Sequence, residues 1–136
     1  MKKILSIKYS AASFNLSMLI LRIVLGIFLI TEHGYMKIVN FSTMQYQFYS
    51  FMGIGSKLSL ILAIFAEVFC ALFIVLGLFT RLAAIPLIIT MLVAIFGEDA
   101  GKPFLESELA IVYLGVFVTL LLCGPGKISI DGMINK

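Results

Sequence analysis

Four polar side chains stand out in a chain that is otherwise nearly all apolar: Arg22, His33, Glu67 and Glu108. Glu67 lies about ten residues inside an apolar run from Leu58 to Thr80, long enough to cross a hydrocarbon core that needs about 20 residues. A carboxylate there costs at least ~2.5 kcal/mol even on lenient insertion scales, so its helix must turn it toward partners and away from lipid. Arg22 is the expected partner. It approaches from the other side of the membrane, to a depth about one helical turn away, where a long guanidinium reaches Glu67. Such a pair either holds a polar ligand and passes protons, or is a buried ion pair that fixes helix register. His33 can donate a hydrogen bond to a quinone carbonyl and exchange protons near neutral pH. It can equally sit at the outer interface, bonded to a loop carbonyl or to Glu108. Glu108 can face a pocket, or cap its own helix at the positive dipole end.

The absent chemistry narrows the field. One histidine cannot supply a bis-histidine haem. Cys70 and Cys123 form no CxxC and sit in apolar surroundings as expected buried thiols. There is no phosphate loop or GxGxxG, and no His/Cys cluster suited to a metal. No haem, metal or nucleotide is therefore expected. Any redox role needs a bound quinone or a partner carrying the cofactor.

The elements that must position these residues are membrane helices. The 136 residues are 62% hydrophobic and 12% charged, against about 25% charged for soluble domains. The net charge of +3 is too slight to indicate nucleic acid. The expected fold is an all-α antiparallel four-helix transmembrane bundle over residues 16–124. A basic amphipathic segment (1–15) precedes it and a polar tail (125–136) follows. Arg22 and the lack of a small-x-small cleavage site argue against a signal peptide.

The expected spans are Leu16–Tyr35, Lys57–Phe79, Leu82–Phe96 and Glu108–Cys123. Arg22, Gly26 and His33 share a face of the first at ~100° per residue, with Glu32 turned away from His33. Ala63, Glu67, Ala71 and Ile74 form one stripe of the second, and small residues there suit close packing. Glu108, Val112, Gly115 and Thr119 form a stripe on the fourth. Between the first two spans, Met44, Phe48, Phe51 and Met52 predict a short interfacial helix within 36–56. Cytoplasmic termini put Lys2, Lys3, Lys8, Arg81, Lys127 and Lys136 inside against Lys37, Lys57 and Lys102 outside, which fits the positive-inside rule and a plasma (inner) membrane location.

Three stretches then carry a family likeness: RIVLGIFLITEHGYMKI (22–38), AEVFCALFIVLGLFTRLAAIPLIITMLVAI (66–95) and ELAIVYLGVFVTLLLCGPGKISID (108–131). Arg22, Gly26, His33-Gly34 and Lys37 match one pattern, and Glu67, Gly77-Leu78 and Arg81 a second. Glu108, Gly124-Pro125-Gly126 and Asp131 match a third. The chain resembles the DoxX family of small four-helix membrane proteins. That resemblance implies association with quinone-linked oxidases, thiosulfate oxidation, or thiol and oxidative-stress systems.

Three functions remain open. The chain is a redox-associated subunit, possessing no redox cofactor of its own, with catalytic Glu67, His33 and Arg22 and a quinone pocket bounded by Arg22, His33, Glu67 and Glu108. Alternatively it is a non-catalytic scaffold in the lipid bilayer for soluble or membrane redox or stress partners, or a small transporter or proton-conducting bundle working as a homo-oligomer.

Overall fold

The computed structural model describes residues 5–98 and 107–134. Those residues are mostly helical and contain no strand. Helix α1 spans Ala11–Val39, α2 is the short Phe41–Met44, α3 spans Ser56–Leu76 and α4 Thr80–Gly97. A shorter apolar helix, α5, spans Glu108–Cys123, and α6 closes the described chain at Ile130–Ile134. By length and composition α1, α3 and α4 each suffice to cross a membrane.

Ends are set by local chemistry. Ser10, in extended conformation, accepts the Ser13 amide with its side chain and starts α1. Nothing stops that helix at Tyr35, and it continues to Val39, three to four residues beyond the expected span. At its start it takes in residues 11–15 of the expected surface segment. Residues 6–10 are non-helical and exposed, and residues 1–4 lie outside the described residues. Helix α3 ends where Gly77 enters the left-handed region (φ 74), with the Leu78 amide returning to the Phe73 carbonyl at 2.9 Å.

The single helix expected within 36–56 does not form. Helix α2 gives way to turns, then to one 3₁₀ turn at Phe51–Gly53, where Met52 takes φ 50 and Gly53 φ 78. The helix has therefore ended before these residues, and their left-handed conformation keeps a right-handed one from resuming there. Most of the GEDAGKPFLESE connection (97–108) lies outside the described residues.

Helices α1 and α3 run in opposite directions against each other. A Cβ on Gly34 would crowd the Glu67 carbonyl at 3.1 Å, one on Gly26 would meet Ala71 and Val75, and Arg22 reaches Ile74 and Val75. Along this seam glycine lets the two backbones close, which matters in lipid because packing supplies the driving force there. Helix α4 packs on α5, and the buried Ala83, Ala84, Leu87, Phe117 and Leu120 join Leu29, Ala71 and Ile74 in one core. The stripe Ala63, Glu67, Ala71, Ile74 is buried throughout, as its small residues require. The α5 stripe of Glu108, Val112, Gly115 and Thr119 faces outward instead, and Tyr113, Phe117 and Leu120 form the buried face.

Candidate functional site

Glu67 is bound by Lys37 and not by Arg22. The Lys37 Nζ lies 2.5 Å from Glu67 Oε2, with the two side chains 17% and 5% exposed. The expected Arg22–Glu67 pair is therefore corrected, and the reason is register. The α1–α3 seam sets Gly34 beside Glu67 and Arg22 beside the last turn of α3. Ten residues separate Glu67 from Gly77, about 15 Å along a helix, more than a guanidinium spans.

Arg22 has a different task. It is 1% exposed, and its guanidinium donates to the Ile74 and Val75 carbonyls at 3.4 and 3.3 Å and to the Ile128 carbonyl of the tail. It thus adds donors to carbonyls at the end of α3, sharing the Ile74 carbonyl with the Gly77 amide, and places its charge at the negative dipole end. The tail completes this junction. The Asp131 carboxylate accepts the Phe79 and Thr80 amides at 2.8 and 3.0 Å, capping α4 from a distance of some fifty residues in sequence.

Above Glu67 is a cavity of about 520 Å³, within the range of small-molecule sites. Its wall is largely apolar and aromatic, with Leu29, Phe48, Tyr49, Phe51, Phe65 and Met91 among the residues that form it. His33, Lys37, Glu67 and Tyr113 bring polar chemistry to the same wall. Ser59 and Thr90 also border it, but their hydroxyls are engaged. Ser59 Oγ accepts the Phe51 amide and donates to the Gly55 carbonyl, and Thr90 Oγ1 donates to the Pro86 carbonyl. The ring nitrogens of His33 make no hydrogen bond among the described residues, and the ring meets Tyr113 edge-on, with centroids 5.7 Å apart. Tyr113 is 4% exposed and stacks on Phe117.

The helices are irregular where they meet this cavity. Ile30–Gly34 in α1, Phe65–Cys70 in α3 and Ala94–Glu98 at the end of α4 are each one π-helical stretch. They carry His33, then Phe65, Ala66 and Glu67, and then Ala94 to the cavity wall. A π turn inserts one residue into the helical ladder and rotates the residues after it. It is rare in general and concentrated at functional sites. Three of them lie around one cavity, and His33 and Glu67 both line the space they surround.

Of the four residues expected to bound a pocket, His33 and Glu67 meet in this cavity, while Arg22 and Glu108 stay out of its wall. Glu108 is exposed in the first turn of α5. Lys37 and Tyr113 also line the cavity; the sequence reading places Lys37 in the family pattern with His33-Gly34 and among the outer charges but in no pocket, and does not single out Tyr113. Lys37 had a usable signal, since it falls four residues after His33, about 40° away on a helix that no residue before Asn40 stops. Cys70 is buried as expected, whereas Cys123 is exposed, and both thiols are free.

A bundle of apolar helices around a charged pair defines an integral membrane protein with an internal polar site. The DoxX family matches residues 17–97, more than half of the 136-residue chain, and the chain belongs to that family. No curated protein and no solved structure shows significant similarity to it. Arg22, His33, Lys37 and Glu67 lie inside the matched segment, while Tyr113, Glu108 and Asp131 lie beyond it.

Proposed function

We propose that this DoxX-family protein binds a quinone or quinol in the cavity beside Glu67 and serves as the membrane subunit of a quinone-linked oxidoreductase system. The observation that carries the reading is a Lys37–Glu67 pair and a His33 with no hydrogen bond among the described residues, on the wall of an apolar cavity of about 520 Å³. The fit to the ligand class is good. A quinone head is an apolar ring with two carbonyl oxygens. The aromatic wall accommodates the ring, and Lys37 and His33 are donors for an oxygen. When bound, the quinone supplies a couple of two electrons and two protons, with electrons exchanged through a redox partner. The chain's own residues hold the head, keep water from it, and accept or return protons at Glu67 and His33.

The same proposal includes the finer architecture: four antiparallel spans in the plasma membrane, with α5 the fourth, both termini cytoplasmic, and residues 36–56 across the outer end. A scaffold reading is favoured by one feature, the direct Lys37–Glu67 contact, which would fix register without any ligand. The cavity favours binding, because a pure strut needs no space beside it. Saturation binding of a short-tailed naphthoquinone to protein in lipid nanodiscs separates them. Saturable binding that weakens at least about tenfold in Lys37→Met supports the site. Absence of saturable binding to the wild-type chain leaves the scaffold reading.

A further inference from the structure

A second, open groove lies on the other side of His33 and Tyr113. It is lined by Leu25, Phe28, Glu32 and Leu109 together with the same His33 and Tyr113. His33, Tyr113 and Leu109 line both spaces, so the two rings, with Leu109 beside them, stand between the inner cavity and the groove. The carboxylates differ across it. Glu67 is buried and paired on the inner side, whereas Glu32 is exposed on the outer side, next to His33 in the same π turn. The charges facing His33 come from both directions: Glu32 and Lys37 on its own helix and Glu67 from α3, with Tyr113 packed on it from α5.

The cavity is partly open, and one flank of it is covered. Phe48, Tyr49 and Phe51 border it from the 45–55 connection. That connection is tied down by the Phe51 amide on Ser59, the Ser56 hydroxyl on the Gln45 carbonyl, and the Tyr49 ring against Gly97.

We propose that His33, with Tyr113, is a proton door between the inner cavity and the outer groove, and that Glu32 exchanges the proton with water on the groove side. The imidazole takes a proton on one ring nitrogen and gives one up from the other, so a proton crosses while the two rings keep solvent and ligand apart. No other bond forms or breaks. The proton's inner station is the Glu67 carboxylate or an oxygen of the bound head group. Its outer station is the Glu32 carboxylate. This inference draws its purpose from the quinone reading, but its geometry stands without any ligand.

The test follows Glu67 itself in the ligand-free full chain in nanodiscs. After a rapid drop in pH, time-resolved infrared spectroscopy reads the rise of the protonated Glu67 carboxyl band, assigned by its loss in Glu67→Gln. His33→Phe should slow that rise at least about tenfold, in keeping with the loss of a positioned acid–base group. Glu32→Gln should slow it too, while leaving the affinity for the short-tailed naphthoquinone unchanged. This second variant also decides the matter if His33→Phe fails to fold. Unchanged rates in the folded variants overturn the door. So does the absence of any Glu67 band over the whole pH range in which the protein stays folded. If naphthoquinone does not bind the wild-type chain yet the rates still fall, the ligand reading fails and the door stands.

Discussion

Lys37 of α1 reaches Glu67 of α3 at 2.5 Å, one helical turn beyond His33, and the contact closes the floor of the inner cavity. It ties the two helices at the level of Gly34. Near the other end of the same seam, Arg22 holds the last carbonyls of α3. The two cations thus have separate duties, one at the site and one at the helix end.

The first prediction rests on that separation. Lys37→Met strands a buried carboxylate, and Glu67→Gln strands a cation. Each should cost about 3–5 kcal/mol by the usual penalty for breaking a buried pair. Lys37→Met/Glu67→Gln should recover much of the loss, whereas Arg22→Gln and Glu67→Gln should add independently. Unfolding of the detergent-solubilised variants by denaturant measures both cycles. A strong coupling between Arg22 and Glu67 would contradict the register described above.

The second concerns the α3–α4 turn. Gly77 sits at φ 74, and a Cβ there would meet the Arg22 guanidinium and the Ser129 side chain. Gly77→Ala should therefore destabilise more than the ~1 kcal/mol expected of left-handed strain alone. Thermal unfolding checks this, and a cost within a few tenths of a kcal/mol would count against the packed junction.

The third tests the tail as a cap. Removing the Asp131 carboxylate in Asp131→Ala should cost about 0.5–2 kcal/mol, the range for losing an N-cap side chain. Hydrogen exchange at the Phe79 and Thr80 amides should rise selectively. Unchanged protection of both would show that the carboxylate does not hold them.

The fourth concerns the thiols. Cys70 is buried between helices and Cys123 is exposed on the surface of α5. A membrane-permeant maleimide should label Cys123 well before Cys70 in native protein, and mild oxidation should form no intramolecular disulfide. Equal labelling rates would contradict the placement of Cys70.

Much of this was legible in the sequence, for identifiable reasons. The length of the apolar runs specifies the helices, since lipid leaves the backbone no alternative. A carboxylate inside such a run has to face inward, which marks Glu67 and its stripe. Its partner was not legible, because the partner depends on inter-helix register. Gly26 and Gly34 set that register through close approach to α3, and α1 runs to Val39, keeping Lys37 on the helix. Arg22 read as a counter-ion because its true acceptors are backbone carbonyls, which carry no sequence signature. The π turns are equally silent in composition, although they carry His33 and Glu67. In the 36–56 connection, apolar spacing suggested one helix, but the helix stops at Met44, the chain turns and reaches extended Ser50, and Met52, Gly53 and Gly55 at positive φ keep it from resuming before Ser56.

The central claim is that the cavity beside Glu67 is a ligand site, and photolabelling tests it most directly. An azido-naphthoquinone illuminated with the protein in nanodiscs, with peptide mapping afterwards, reports which residues the head group touches. Labels should fall on the cavity wall, at Tyr113 and in the 48–51 segment, competed by unlabelled naphthoquinone and reduced in Lys37→Met. Labels confined to outward-facing residues such as Phe69 and Leu122, insensitive to competition, would contradict it.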